Sequence, residues 1–145
     1  MLRVVLDTNV FVSGLLNKTG LPASILDAWR AGRYLLITSP AIISEITSVL
    51  DSLWRGRKYR LTREDVTELA RLLEQDALVV PGQAEVRGAI AEDPTDEMFL
   101  ACALDAAADF IVTGDHHLLD LKSYRGIPIV TVQQFAEHLE SPTTL

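Results

Sequence analysis

Short apolar runs alternate along this chain with longer segments whose apolar residues recur at helical spacing. Residues 3–6 read as a strand buried on both faces, because Val4-Val5-Leu6 shows no polar alternation. A helix is predicted over 9–16, with a turn at Asn17-Lys18-Thr19-Gly20. Pro22 then opens a helix to about Ala31, stopped by Gly32. Tyr34 to Thr38 is a second strand. Ser39 caps a helix beginning at Pro40, with Ile42, Ile46, Val49 and Leu53 on one stripe. Thr62-Arg63-Glu64-Asp65 has the pattern of a capping box and opens a helix to about Asp76. Leu78-Val79-Val80 is a third strand, and Val86 to Ile90 has no clear period. From Asp96 to Ala108 the chain is apolar nearly all round, as in an interior helix. Asp109 to Thr113 and Ile127 to Thr131 read as the fourth and fifth strands, followed by a helix from about Val132 to Leu139. Strands alternating with helices imply an α/β fold with a mostly parallel sheet. No repeat or linker interrupts the pattern, so residues 1–140 are expected to form one domain and 141–145 a loose tail.

Composition narrows the class. At 145 residues and 48% apolar content, the chain has the material for a core. No run approaches the ~18 apolar residues of a membrane span. The opening apolar stretch is too short for a signal peptide, and the single Cys102 excludes an intramolecular disulfide. These features predict a cytoplasmic protein with no membrane partner. The net charge of −7 argues against a broad nucleic-acid grip. Its distribution does not: Arg55, Arg57, Lys58, Arg60 and Arg63 cluster, interleaved with Trp54 and Tyr59. The stretch reads as an arm for phosphates and bases, or equally as a solvated connection between helices.

Candidate chemistry lies at the ends of apolar segments. Asp7 follows the first strand and Asp115 the fourth, while Glu45 and Asp96 lie on helical runs. In a parallel sheet, sites gather where strands end. Acids converging there repel one another unless a cation sits among them, which suggests a divalent-metal site acting on a phosphodiester. Each residue also has a plain structural role. Asn9 can cap a helix, and Glu45 can reach past the core boundary to solvent. Asp93, with Pro94 behind it, makes a good helix start, and acids such as Glu97 suit the helix dipole. His116 and His117 are potential ligands, but adjacent side chains usually point apart, so at most one is expected to face the site. Cys102 reads as a buried thiol.

Taken together, Val4-Val5-Leu6-Asp7-Thr8-Asn9, Ser44-Glu45-Ile46, the stretch from Asp93 to Leu104 and Ile111-Val112-Thr113-Gly114-Asp115 resemble the PIN-domain nucleases over nearly the whole chain. The similar proteins include toxin components of bacterial and archaeal toxin–antitoxin pairs. The resemblance implies a three-layer α/β/α sandwich and a Mg²⁺- or Mn²⁺-dependent ribonuclease, often dimeric, with a cognate antitoxin as candidate partner. It implies that Asp7, Glu45, Asp96 and Asp115 are the acidic metal-site residues, with Asn9 and Thr113 supporting them by hydrogen bonds. His117 stands where many relatives have a further acid, which bears on a second metal and on metal preference.

Such a site would hydrolyse RNA by in-line displacement, leaving 5′-phosphate and 3′-hydroxyl ends. Two other functions fit parts of the pattern. A phosphoryl-transfer domain also starts with an acid after strand one, but it wants a second acid where Asn9 stands and a lysine better placed than Lys122. A non-catalytic module of the same fold, binding RNA or protein, would not need the acids.

Overall fold

The computed structural model describes residues 1–57, 59–86 and 96–140. The elements run in the order β1 (Arg3–Leu6), α1 (Thr8–Leu16), α2 (Leu21–Arg30), β2 (Leu35–Thr38), α3 (Pro40–Gly56), α4 (Arg63–Asp76), β3 (Leu78–Val79), α5 (Glu97–Ala106), β4 (Phe110–Val112), α6 (His116–Leu119), β5 (Ser123–Tyr124), β6 (Ile127–Val130) and α7 (Val132–Glu140). The strands form one sheet in the order β3-β2-β1-β4-β6-β5, parallel except for β5, which runs antiparallel to β6. Helices flank the sheet in the expected three-layer α/β arrangement. Val4, Val5, Leu36, Ile111 and Val112 are fully buried, as a strand covered on both faces requires.

Strand order places the site. From β1 the chain steps to β2 and β3, then returns past β1 to pair β4 on its other side. The reversal makes the carboxyl ends of β1 and β4 the switch point of the sheet, where such folds open a crevice. The register sets Leu6 opposite Val112. The next residues, Asp7 and Thr113, therefore leave the sheet side by side, with the Asp7 N–H still bonded to the Val112 carbonyl at 3.0 Å.

Helix ends follow the local chemistry. Ser39 Oγ accepts from the Ile42 N–H and starts α3. Thr62 and Asp65 form a reciprocal capping box, each side chain accepting from the other's N–H at 3.0 Å. The fully buried stripe of α3 is Ile42, Ile46 and Leu50; of the expected stripe, Val49 and Leu53 are half-buried. Trp29 ties α2 to the end of α4 by donating its Nε1–H to the Asp76 carbonyl at 3.3 Å. Phe135 of α7 seals the opposite end of the sheet against Tyr34 and Phe110. No helix of the described residues is long and apolar enough to cross a membrane.

Two elements do not show in the hydrophobic pattern. One is the four-residue helix α6; the other is β5, which turns into β6 through Arg125 and Gly126, both at positive φ as a two-residue hairpin turn requires. The helix start expected at Asp93, the aperiodic segment through Ile90 and the tail 141–145 lie wholly or partly outside the described residues.

The capping box offers a direct test of the local account. Thr62→Ala removes the acceptor for the Asp65 N–H and should lower stability by about 1 kcal/mol. A urea midpoint shifted down with an unchanged slope is the expected result.

Candidate metal centre

Asp7 is the N-cap of α1 and is 4% exposed. Its Oδ1 accepts from the Asn9 N–H at 3.4 Å, and its Oδ2 accepts the Thr113 hydroxyl proton at 2.5 Å. The same Thr113 oxygen accepts from the Asp115 N–H at 2.9 Å. One fully buried hydroxyl thus fixes a carboxylate on β1 and the backbone of the next acid after β4. Asp115 caps α6, its Oδ1 accepting from the His117 N–H at 2.9 Å. Its carboxyl also shares a hydrogen bond with that of Asp96, at the start of α5.

The electrostatics are uneven. Burial pushes the Asp7 carboxyl above the usual aspartate value. The Thr113 hydroxyl and the backbone N–H groups pull the other way and do not overcome it, while the nearby Asp115 charge adds to the rise. Asp115 moves down instead, because the hydrogen bond from Asp96 favours its charged form against a smaller cost of burial. Two carboxyls held this close repel one another when both are ionised, unless a cation sits between them. This donor set of hard oxygens fits Mg²⁺ or Mn²⁺.

The expected site residues divide. Contacts join Asp7, Thr113, Asp115 and Asp96. Asn9 supports Asp7 through its backbone N–H; its exposed side-chain amide makes no hydrogen bond among the described residues. Glu45 is half-buried on α3 and forms no hydrogen bond or ion pair among the described residues. Asp93 lies outside the described residues. The histidines depart from expectation. They belong to α6, and their rings lie together at 4.1 Å between centroids instead of pointing apart. Sequence reasoning misses Thr8 and Thr38, whose buried hydroxyls have no partner among the described residues. Thr38 ends β2 and Thr8 starts α1 just past β1, at the edge of the sheet where such groups can hold water at the site. A threonine ending an apolar strand, as in Leu36-Ile37-Thr38 and Ile111-Val112-Thr113, is the signal that could find such positions.

The basic stretch is the connection between α3 and α4. Arg55 Nε lies 3.1 Å from Asp51 Oδ2, and the Arg63 guanidinium sits over the Trp54 ring at 5.9 Å. Arg57 ends α3 in the left-handed conformation, Tyr59 and Arg60 are exposed, and Lys58 lies outside the described residues. At 1.5 Å per residue, α3 carries Arg57 about 18 Å beyond Glu45.

These features define an α/β protein with a cluster of acids at the switch point of a mostly parallel sheet. The chain belongs to the PIN domain family, whose model matches residues 3–117. It is similar to the uncharacterized protein MJ1680 of Methanocaldococcus jannaschii, with 30% identity over 121 residues, 83% of this chain and 76% of that protein. Its fold is like that in the crystal structure of VapBC2 from Rickettsia felis bound to a DNA fragment from their promoter. That match has a TM-score of 0.62 and 14% identity, and covers 90% of this chain and 98% of that one.

The buried carboxylate makes a pH-dependent prediction. Asp7 has a folded value above its ordinary 3.8, so the stability it contributes is full below 3.8 and is lost as pH rises through the folded value. Asn keeps an acceptor for Thr113 without the charge. In EDTA, Asp7→Asn should therefore melt at a higher temperature than the parent at about pH 7, and the gap should close toward about pH 4. A variant less stable than the parent at neutral pH would contradict the account.

Proposed function

We propose that this chain is a Mg²⁺- or Mn²⁺-dependent ribonuclease of the toxin type, with residues 1–140 as a single nuclease domain. The carrying observation is the linkage of Asp7, Thr113 and Asp115, with Asp96 bonded to Asp115, at the switch point of a PIN-family sheet. Asp7, Glu45, Asp96 and Asp115 would hold the ion. When bound, such an ion supplies Lewis-acid stabilisation of the phosphate oxygens and a more acidic water.

The chain's own groups do the positioning. Thr113 holds Asp7 Oδ2 in place and, through the Asp115 N–H, sets the start of α6. A cation entering between Asp96 and Asp115 would offset the repulsion of two carboxyls held side by side. Nothing in this arrangement calls on the RNA 2′-hydroxyl, so preference for RNA would come from binding. The Trp54–Arg63 stretch supports that role, with Arg55, Arg57, Lys58 and Arg60 holding phosphates and the exposed Tyr59 offering a ring for a base. A fold like that of VapBC2, and a sequence that resembles toxin components, support a cognate antitoxin as partner; the dimer rests on the sequence resemblance alone.

Purified protein should cleave RNA with Mg²⁺ or Mn²⁺ and stop in EDTA. Asp7→Asn and Asp96→Asn should bring cleavage to background with the fold retained. Thr113→Val, which removes only the support, should lower it ~10–100-fold. Full activity in EDTA would end the metal mechanism, and loss of the metal response would favour a binding module.

The arm has its own test. Replacing Arg55, Arg57 and Arg60 by Ala should weaken RNA binding. It should also flatten the log–log salt dependence by up to ~0.7 for each phosphate of a single strand that the arm no longer neutralises. An unchanged slope would leave the stretch as a helix connection alone.

A further inference from the structure

The first turn of α6 gathers a second kind of donor. Asp115, His116 and His117 each offer one ligand atom, and these atoms lie within 4.8 Å of one another. The His116 Nδ1 is 4.0 Å from Asp115 Oδ1, and the two imidazoles are inclined at 39° with 4.1 Å between centroids. Consecutive side chains on a helix diverge by about 100°. Here the capping bond from the His117 N–H to Asp115 Oδ1 folds the carboxylate back over the turn, and both rings come to the same side of it. His116 is exposed and His117 half-buried, so the gap between the donors opens to solvent.

We propose that Asp115, His116 and His117 bind one borderline transition-metal ion of the Zn²⁺ class, at a site that adjoins the carboxylate site for Mg²⁺ or Mn²⁺ and shares Asp115 with it. Two imidazoles and one carboxylate are a nitrogen-rich set that Mg²⁺ serves poorly and that Zn²⁺, Ni²⁺ or Cu²⁺ serve well. Zinc holds such ligands at about 2.0–2.2 Å, so donors on either side of it are at most about 4.4 Å apart. The donors' spread of up to 4.8 Å exceeds that by about 0.4 Å, and the His116 side chain is exposed. Three protein ligands leave an open position, the arrangement of an exchangeable or inhibitory ion more than of a closed structural one.

The site shares Asp115 with the carboxylate group. Where the ribonuclease reading of that group holds, an ion drawn to the histidines competes with Mg²⁺ for Asp115 and couples cleavage to transition-metal supply. The binding site itself does not depend on that reading.

The test uses the full chain stripped of metal, without RNA or Mg²⁺. Zn²⁺ is titrated against a chromophoric chelator, and Co²⁺ is followed by its visible absorption. One Zn²⁺ per chain is expected, at least ~10-fold tighter than Mg²⁺. His116→Ala or His117→Ala should each weaken Zn²⁺ binding at least ~10-fold, and the double substitution should abolish the Co²⁺ absorption. His138→Ala, on α7 against Phe110, should leave both unchanged. Unchanged circular dichroism of the histidine variants separates loss of a ligand from loss of the fold. The proposal is overturned if the double variant binds Zn²⁺ as tightly as the parent, or if equimolar Mg²⁺ displaces the ion.

Discussion

The short hydrogen bond from Thr113 to Asp7 is the constraint on which the rest of the site depends. Asp7 ends an apolar strand and is almost fully buried. Leaving such a carboxylate without partners would cost several kcal/mol. Thr113 and two backbone N–H groups supply bonds, yet the group still sits above its ordinary value, so burial outweighs them. The protein alone does not balance this charge. Asp115 beside it worsens the balance, and the bond between Asp115 and Asp96 relieves only the second half of the cluster. A divalent cation is the partner that satisfies all three acids at once, which is the physical argument for a metal there.

The fold exists to make that encounter reproducible. Parallel pairing of β1 with both β2 and β4 fixes which residues emerge together at the carboxyl edge. The reversal of strand order at β1 opens space above them. Three helices begin at that edge, and their start chemistry is the site chemistry: Asp7 caps α1, Ser39 caps α3 and Asp115 caps α6. The carboxylates therefore have a structural task as helix caps, and a metal would compete with the N–H groups for the same oxygens.

Much of this is legible in the residues. Apolar runs mark β1, β2 and β4, and Thr62 with Asp65 marks the start of α4, because these signals are local. Asp7 and Asp115 are readable as strand-end acids for the same reason. Less visible are features set by contacts distant in sequence or by backbone dihedrals. The bond between Asp96 and Asp115 joins the start of α5 to that of α6, and no spacing rule reveals it. The turn through Arg125 and Gly126 depends on positive φ at a non-glycine residue, which residue type does not advertise. The histidine rings lie together, 4.1 Å between centroids, although the rule of helical divergence would part them. Glu45 rests on its place along a helical run and on the family pattern, and no contact among the described residues joins it to the other acids.

The most direct test of the central claim is a Mn²⁺ titration of isotope-labelled protein, read as paramagnetic broadening of the backbone amides. The account predicts that the amides of Asp7, Thr8, Asp96, Thr113 and Asp115 broaden first, while those of α7 remain sharp, and that Asp7→Asn removes the effect. Broadening that spares the carboxyl ends of β1 and β4, or that survives Asp7→Asn unchanged, would contradict it.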